Sequence, residues 1–141
     1  SSLNEQEIHP RPGHGEESWN NIKKICAPFF GPSCQGSELA LNSCATEGIN
    51  IILNGLGLMA GDEIITSTHE HPALHIPLLN HHRLNQVKIK TFEPDLHSAA
   101  GNIDRITRLI TGKTRMIFIS HITCTTGQIF PVNGGFKNHS Q

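Results

Sequence analysis

Short apolar runs of strand length alternate along this chain with longer stretches whose apolar residues recur at helical spacing, and few architectures accommodate that alternation. Ile64-Ile65, Val87-Ile89-Thr91 interleaved with Lys88 and Lys90, and Arg115-Met116-Ile117-Phe118-Ile119 read as strands, the last as one buried on both faces. Leu39-Ala40-Leu41 reads as the body of a first strand at 38–42. Between them, Ile49, Ile52, Leu53 and Leu56 mark a helix at about 46–58. Leu74, Leu78 and Leu79 mark a second from Pro72, with Pro77 predicted to kink it or begin a new turn. Ile103, Ile106, Leu109 and Ile110 mark a third. Strand followed by helix, repeated, predicts an α/β fold: a three-layer α/β/α arrangement with a mainly parallel sheet. Upstream, Trp19, Ile22 and Cys26 form one helical face that ends near Pro28, and Trp19, Phe29 and Phe30 read as core.

The 141 residues suffice for one respectable core, and a net charge of −1 without long runs of one sign gives no footprint for nucleic acid or a membrane surface. No apolar run has the length of a membrane span, and the polar start Ser1-Ser2-Leu3-Asn4-Glu5-Gln6 has no signal-peptide core, so a soluble, cytoplasmic protein is expected. Residues 1–16, with Pro10, Pro12, Gly13 and Gly15, read as a loose arm. Cys26, Cys34, Cys44 and Cys124 are scattered and read as reduced thiols. Two glycine patterns fail as nucleotide motifs. Gly55, Gly57 and Gly61 close a helix instead of opening one, so Gly57 or Gly61 reads as helix termination. Gly112-Lys113-Thr114 follows a helix and has Thr107 where the phosphate loop needs glycine.

The chemistry concentrates where strands hand over to helices. A helix beginning at Ala45-Thr46 directs its free N–H groups and the positive end of its dipole out of the carboxyl edge of a sheet, which suits an anion as well as an ordinary cap. Ser43 and Thr46 add hydroxyls, and Cys44 and Ala45 are small enough to let a phosphate approach. At the same edge the alternation places His69 to His71 and His121 to Cys124. Ten histidines invite a metal reading on His69, His71 and His75, but Ala73 stands where a His-Glu-x-x-His motif needs its second histidine, and no metal ligand is assigned.

Four stretches resemble the class V aminotransferase family, the pyridoxal-phosphate enzymes of fold type I that include cysteine desulfurases, cystine C–S lyases and isopenicillin-epimerase-like proteins. They are Ala45-Thr46-Glu47-Gly48-Ile49-Asn50, Gly61-Asp62-Glu63-Ile64-Ile65, Glu70-His71-Pro72-Ala73, and Ser120-His121-Ile122-Thr123 with Thr126-Gly127-Gln128-Ile129-Phe130-Pro131-Val132, in the family's order and spacing. The resemblance implies an incomplete large domain over 17–132 and a tail at 133–141 outside the family pattern. By position it implies that Ala45 and Thr46 hold the cofactor phosphate and that His71 stacks on the pyridine ring. Cys124 takes the place where the desulfurase branch usually has an asparagine on the ring oxygen, which favours the C–S lyase or epimerase-like branch, and Ser43, Cys44 and Thr123 are further candidate contacts.

The family's Schiff-base lysine and pyridine-binding carboxylate should follow Pro131-Val132, and the tail matches neither. The resemblance therefore implies a fragment of an enzyme acting on an amino acid, inactive alone. A homodimer or companion chain is expected to cover its sheet. The alternative is a non-enzymatic module that binds a phosphate-bearing ligand or a partner.

Overall fold

The structure, a computed structural model, describes residues 16–130; the arm before Glu16 and the Pro131-Val132 segment with its tail lie outside the described residues. The chain divides into two compact units, 1–43 and 44–141.

In the first unit, α1 (Glu16–Cys26) stops just ahead of Pro28 and is followed by single 3-10 turns at Ala27–Phe30 and Gly36–Glu38. Gln35 and Glu38 close the second turn reciprocally: the Gln35 N–H donates to Glu38 Oε2 at 2.7 Å, and the Glu38 N–H to the Gln35 carbonyl at 3.0 Å. The strand expected at 38–42 does not form. Leu39 has an extended backbone, but no described strand pairs with 39–42, and an extended segment becomes sheet only when a neighbour takes its N–H and C=O groups. Trp19, Phe29 and Phe30 are likewise not core: they are 51%, 87% and 72% exposed. Among the described residues of this unit, one helix and two isolated turns offer no opposing layer to cover them.

The second unit contains α2 (Ala45–Gly55), β1 (Glu63–Ser67), α3 (Pro72–Asn85), β2 (Lys88–Phe92), α4 (Ala99–Leu109) and β3 (Thr114–Ile117). The strands form a parallel sheet in the order β2-β1-β3, with Glu63 opposite Lys88 and Ser67 opposite Phe92; on the other side Ile64 faces Met116 and Ile65 faces Ile117 after a register shift. The chain moves from β1 outward to β2 and then returns past β1 to β3. Because the direction reverses, crossovers of one hand place α3 and α4 on opposite faces. The packing agrees: Leu53 of α2 and Leu74 and Leu78 of α3 cover Ile64 and Val87, while Ile106 of α4 packs with Ile65, Phe92 and Phe130. The α/β/α layering is thus as the sequence predicts.

Local details differ. α3 runs unbroken through Pro77, which is buried beside Leu74 and Leu78, so no new helix starts there; burial of this turn offsets the hydrogen bond that Pro77 cannot donate. β3 is not buried on both faces. Thr114, Met116 and Ile117 are only half-buried and Arg115 is exposed, because β3 is an outer strand of the described sheet. α2 ends at Gly55 with Leu56 as its C-cap, and the chain turns into β1 through Gly57 and Gly61 at φ of +59° and +89°, values that favour glycine; Gly57, directly after the cap, matches the reading as helix termination.

At the amino end of the sheet the buried Glu63 carboxylate accepts from Lys90 Nζ at 2.7 Å and from the Thr111 hydroxyl at 2.5 Å, and Lys90 also donates to the Leu109 carbonyl at 3.1 Å. The Lys90 bond, then the Thr111 bond, holds the Glu63 pKa below the usual carboxylate range. A folded pKa below the unfolded one gives stability that is complete above the unfolded value and is lost as pH falls through the folded value. Glu63→Gln is therefore expected to flatten the acid limb of a plot of melting temperature against pH. Parallel limbs for the two proteins would refute this.

Candidate functional site

α2 and α3 pack on one face of the sheet, and the later residues of α2, Asn50 and Asn54, lie with the later residues of α3, Asn80, Leu84 and Asn85, so the two helices start from the same end, where β1 delivers α3 and β3 delivers residues 118–130. Ala45 and Thr46 open α2, His71 precedes α3 and Cys124 lies in the segment after β3; all four are exposed, and Ser43 closes the other unit. Cys44 is the N-cap of α2 in extended conformation (φ −163°, ψ 165°), with its carbonyl accepting from the Gly48 N–H at 3.3 Å and its side chain not capping the helix. The Thr46 carbonyl accepts from Asn50 Nδ2 at 2.8 Å. Glu47 sits in the first turn, where the helix dipole favours a carboxylate.

His71 is the N-cap of α3. Its Nδ1 accepts from the Ala73 N–H at 3.1 Å, and Pro72, with no N–H to satisfy, follows it. With Nδ1 taken up by this bond, Nε2 is the ring nitrogen left to face outward. The preceding Glu70 is buried. Its Oε1 accepts from the Ser67 hydroxyl at 2.7 Å, its Oε2 from the Ser120 hydroxyl at 2.6 Å, and both oxygens lie 3.1 Å from the Ser120 N–H.

After β3 the chain folds back as a hairpin. Ile122 and Ile129 form an antiparallel bridge, and the Phe130 N–H donates to the His121 carbonyl at 2.8 Å. Thr123 is buried within it, its hydroxyl 2.6 Å from that of Thr126 and accepting from the Gln128 N–H at 3.1 Å. Cys124 stands at the exposed turn.

The histidines considered for a metal have separate engagements. His69 Nε2 lies 3.0 Å from Glu93 Oε1, and His75 Nε2 lies 3.3 Å from the Ser67 carbonyl. Among the described residues no three histidine, cysteine, aspartate or glutamate side chains are placed to hold one ion. The Thr68 hydroxyl also donates to Glu93, and this bond, with His69 adding to it, keeps the Glu93 pKa below the usual range. Two pockets of about 310 and 210 Å³ lie on the α2–α3 side, and neither is lined by Thr46, His71 or Cys124.

Sequence reasoning missed Glu70 and Ser120 as a pair. Ser67-x-x-Glu70 is a local hint, since residues three apart beyond a strand meet easily in a turn. Ser120 is fifty residues further on, and only strand pairing brings it near.

Comparison with known proteins supplies the context. The family model for aminotransferase class V matches residues 4–139. The chain is 28% identical over 112 residues to the aminotransferase-like protein FGM3 of Gibberella zeae, covering 79% of this chain and 27% of that protein. It is 32% identical over 96 residues to isopenicillin N epimerase of Streptomyces clavuligerus, covering 67% and 24%. Two solved structures share its fold. The cystine C–S lyase C-DES in complex with cysteine persulfide superposes with a TM-score of 0.69 at 21% identity, over 89% of this chain and 34% of its own. The cysteine desulfurase CsdA of Escherichia coli superposes with a TM-score of 0.67 at 20% identity, over 92% and 34%. The chain thus spans about a quarter of the length of these curated relatives and a third of these structures.

Proposed function

Because the chain belongs to the class V aminotransferase family, whose members use pyridoxal phosphate, we propose that it is the cofactor-anchoring part of an enzyme acting on an amino acid, in C–S cleavage, desulfuration or an epimerase-like reaction. The observation that supports this reading is that α2 and α3, with His71 as the N-cap of α3, share a face of the sheet and start from the same end of it. The residues present fit the group. Ala45 and Thr46 begin a helix at that end, so their backbone N–H groups and the Thr46 hydroxyl suit a phosphate dianion. His71 offers an exposed aromatic face with Nε2 outward, which suits a flat, electron-poor ring. Cys124, at the hairpin turn, has only a weakly bonding thiol to offer the ring oxygen, and Thr123 has its hydroxyl engaged by Thr126 and Gln128.

When bound, the cofactor withdraws electrons from the bonds at the substrate α-carbon. The residues of this chain bind and orient it: Ala45 and Thr46 at the phosphate, His71 at the ring. Proton transfer is assigned to the family's lysine, which the family pattern places after Pro131-Val132. The half-buried outer strand β3 is the edge to which a further strand, from a companion chain or a second copy, would add.

A titration of the purified chain with pyridoxal phosphate, read by cofactor absorbance, tests the assignment. Thr46→Ala and His71→Ala are each expected to weaken binding about tenfold, the worth of one charge-assisted or stacking contact. Borohydride treatment followed by mass spectrometry is expected to label no single lysine at one-to-one stoichiometry. Equal affinities for the variants and the parent would remove the anchoring role, and one dominant labelled lysine would show that the chain carries its own reactive amine.

A further inference from the structure

We propose that Glu70 is a positioning residue for His71: it ties the carboxyl end of β1 to the chain leaving β3 and thereby fixes the backbone from which the exposed imidazole is presented. The inference deepens the cofactor reading and rests on it only for what the imidazole faces.

A carboxylate taken out of water needs donors, and Glu70 has them on both oxygens: the Ser67 hydroxyl, the Ser120 hydroxyl and the Ser120 N–H, at 2.6 to 3.1 Å. None of these donors is a charged side chain. The bonds therefore define a geometry more than an ion pair would, since a hydroxyl and an amide must be aimed. They also lie at a particular place in the sheet. The chain goes from β1 to β2 and back past β1 to β3, so the segments that leave β1 and β3, α3 and the Phe130 hairpin, go to opposite faces at the point where the topology reverses, the place where open α/β sheets bind ligands. Glu70 spans that point.

The His71 side chain is exposed. Two bonds constrain it: that of the anchored carboxylate one residue before it and that of the Ala73 N–H two residues after it, which reaches Nδ1. The second depends on the first. Nδ1 can accept from Ala73 only while residues 70–71 enter the helix at the observed extended angle (φ −69°, ψ 147°), and Glu70 sets that entry.

Amide hydrogen exchange on the purified chain, without cofactor, reads this directly. In Glu70→Gln one oxygen is replaced by an NH₂ group that opposes the Ser120 N–H, and exchange at the Ala73 amide is expected to accelerate about tenfold or more while amides of the central strand β1 keep their rates. Ser120→Ala removes a single hydroxyl and is expected to act in the same direction by a smaller factor, which carries the test if the glutamine variant does not fold. Unchanged Ala73 exchange in a folded variant, or acceleration equal to that of β1, would overturn the proposal, because a merely structural role loosens the unit as a whole. Failure of the chain to bind pyridoxal phosphate would strike the cofactor reading and leave these rates as they are.

Discussion

Phe130→Ala is expected to lower the unfolding free energy by about 3–5 kcal/mol, the usual consequence of emptying a large aromatic site in a core. Phe130 is 1% exposed and meets Phe92 edge to face, with ring centroids 6.1 Å apart and planes at 87°. It joins Ile65 and Ile106 in the cluster under α4, so the hairpin that follows β3 is part of the second layer and not a loose connection. Typical domain stabilities are about 5–15 kcal/mol, so such a loss removes a large fraction of the total. Urea titration should show a lower midpoint with little change in slope. A loss below about 1 kcal/mol would mean that the hairpin is not integral to the core.

Leu78→Ala is expected to cost about 2–5 kcal/mol, whereas Leu79→Ala should stay within about 0.5 kcal/mol. The two residues are adjacent on α3 and chemically identical, but Leu78 is 1% exposed against Ile64 and Val87 and Leu79 is 56% exposed. Parallel urea titrations of the pair separate the effect of burial from that of helix propensity, which is the same at both positions. Similar losses would show that α3 is seated on the sheet by a different face.

That contrast also marks how far sequence alone reaches. β1, β2, α2, α3 and α4 were legible within a few residues because each carries its own local signal: an isoleucine pair after Gly61-Asp62, alternation of lysines with apolar residues, Pro72 at a helix start, isoleucines at helical spacing. Which face of α3 is buried was not legible, since Leu74, Ile76, Pro77, Leu78, Leu79 and Leu84 nearly encircle the helix. Only packing against β1 and β2 selects Leu74, Pro77 and Leu78. The strand at 38–42 failed for a related reason: Leu39-Ala40-Leu41 has the composition of a strand, but pairing is a property of two segments. Trp19, Phe29 and Phe30 failed because hydrophobicity states a preference for burial and does not supply the layer that satisfies it.

The candidate site divides along the same line. Sequence by itself determined the α/β class, the helix starts at Ala45 and Pro72, and, through four ordered motifs, the family to which the chain belongs. These are local patterns of spacing and residue type, and they survive without knowledge of what lies opposite. Tertiary structure alone decided that Ser67, Glu70 and Ser120 meet, that Thr123 turns its hydroxyl inward to Thr126, and that His69 and His75 bond apart from one another. Each of those contacts depends on which strands are neighbours and in what register, and residues fifty positions apart carry no local trace of it.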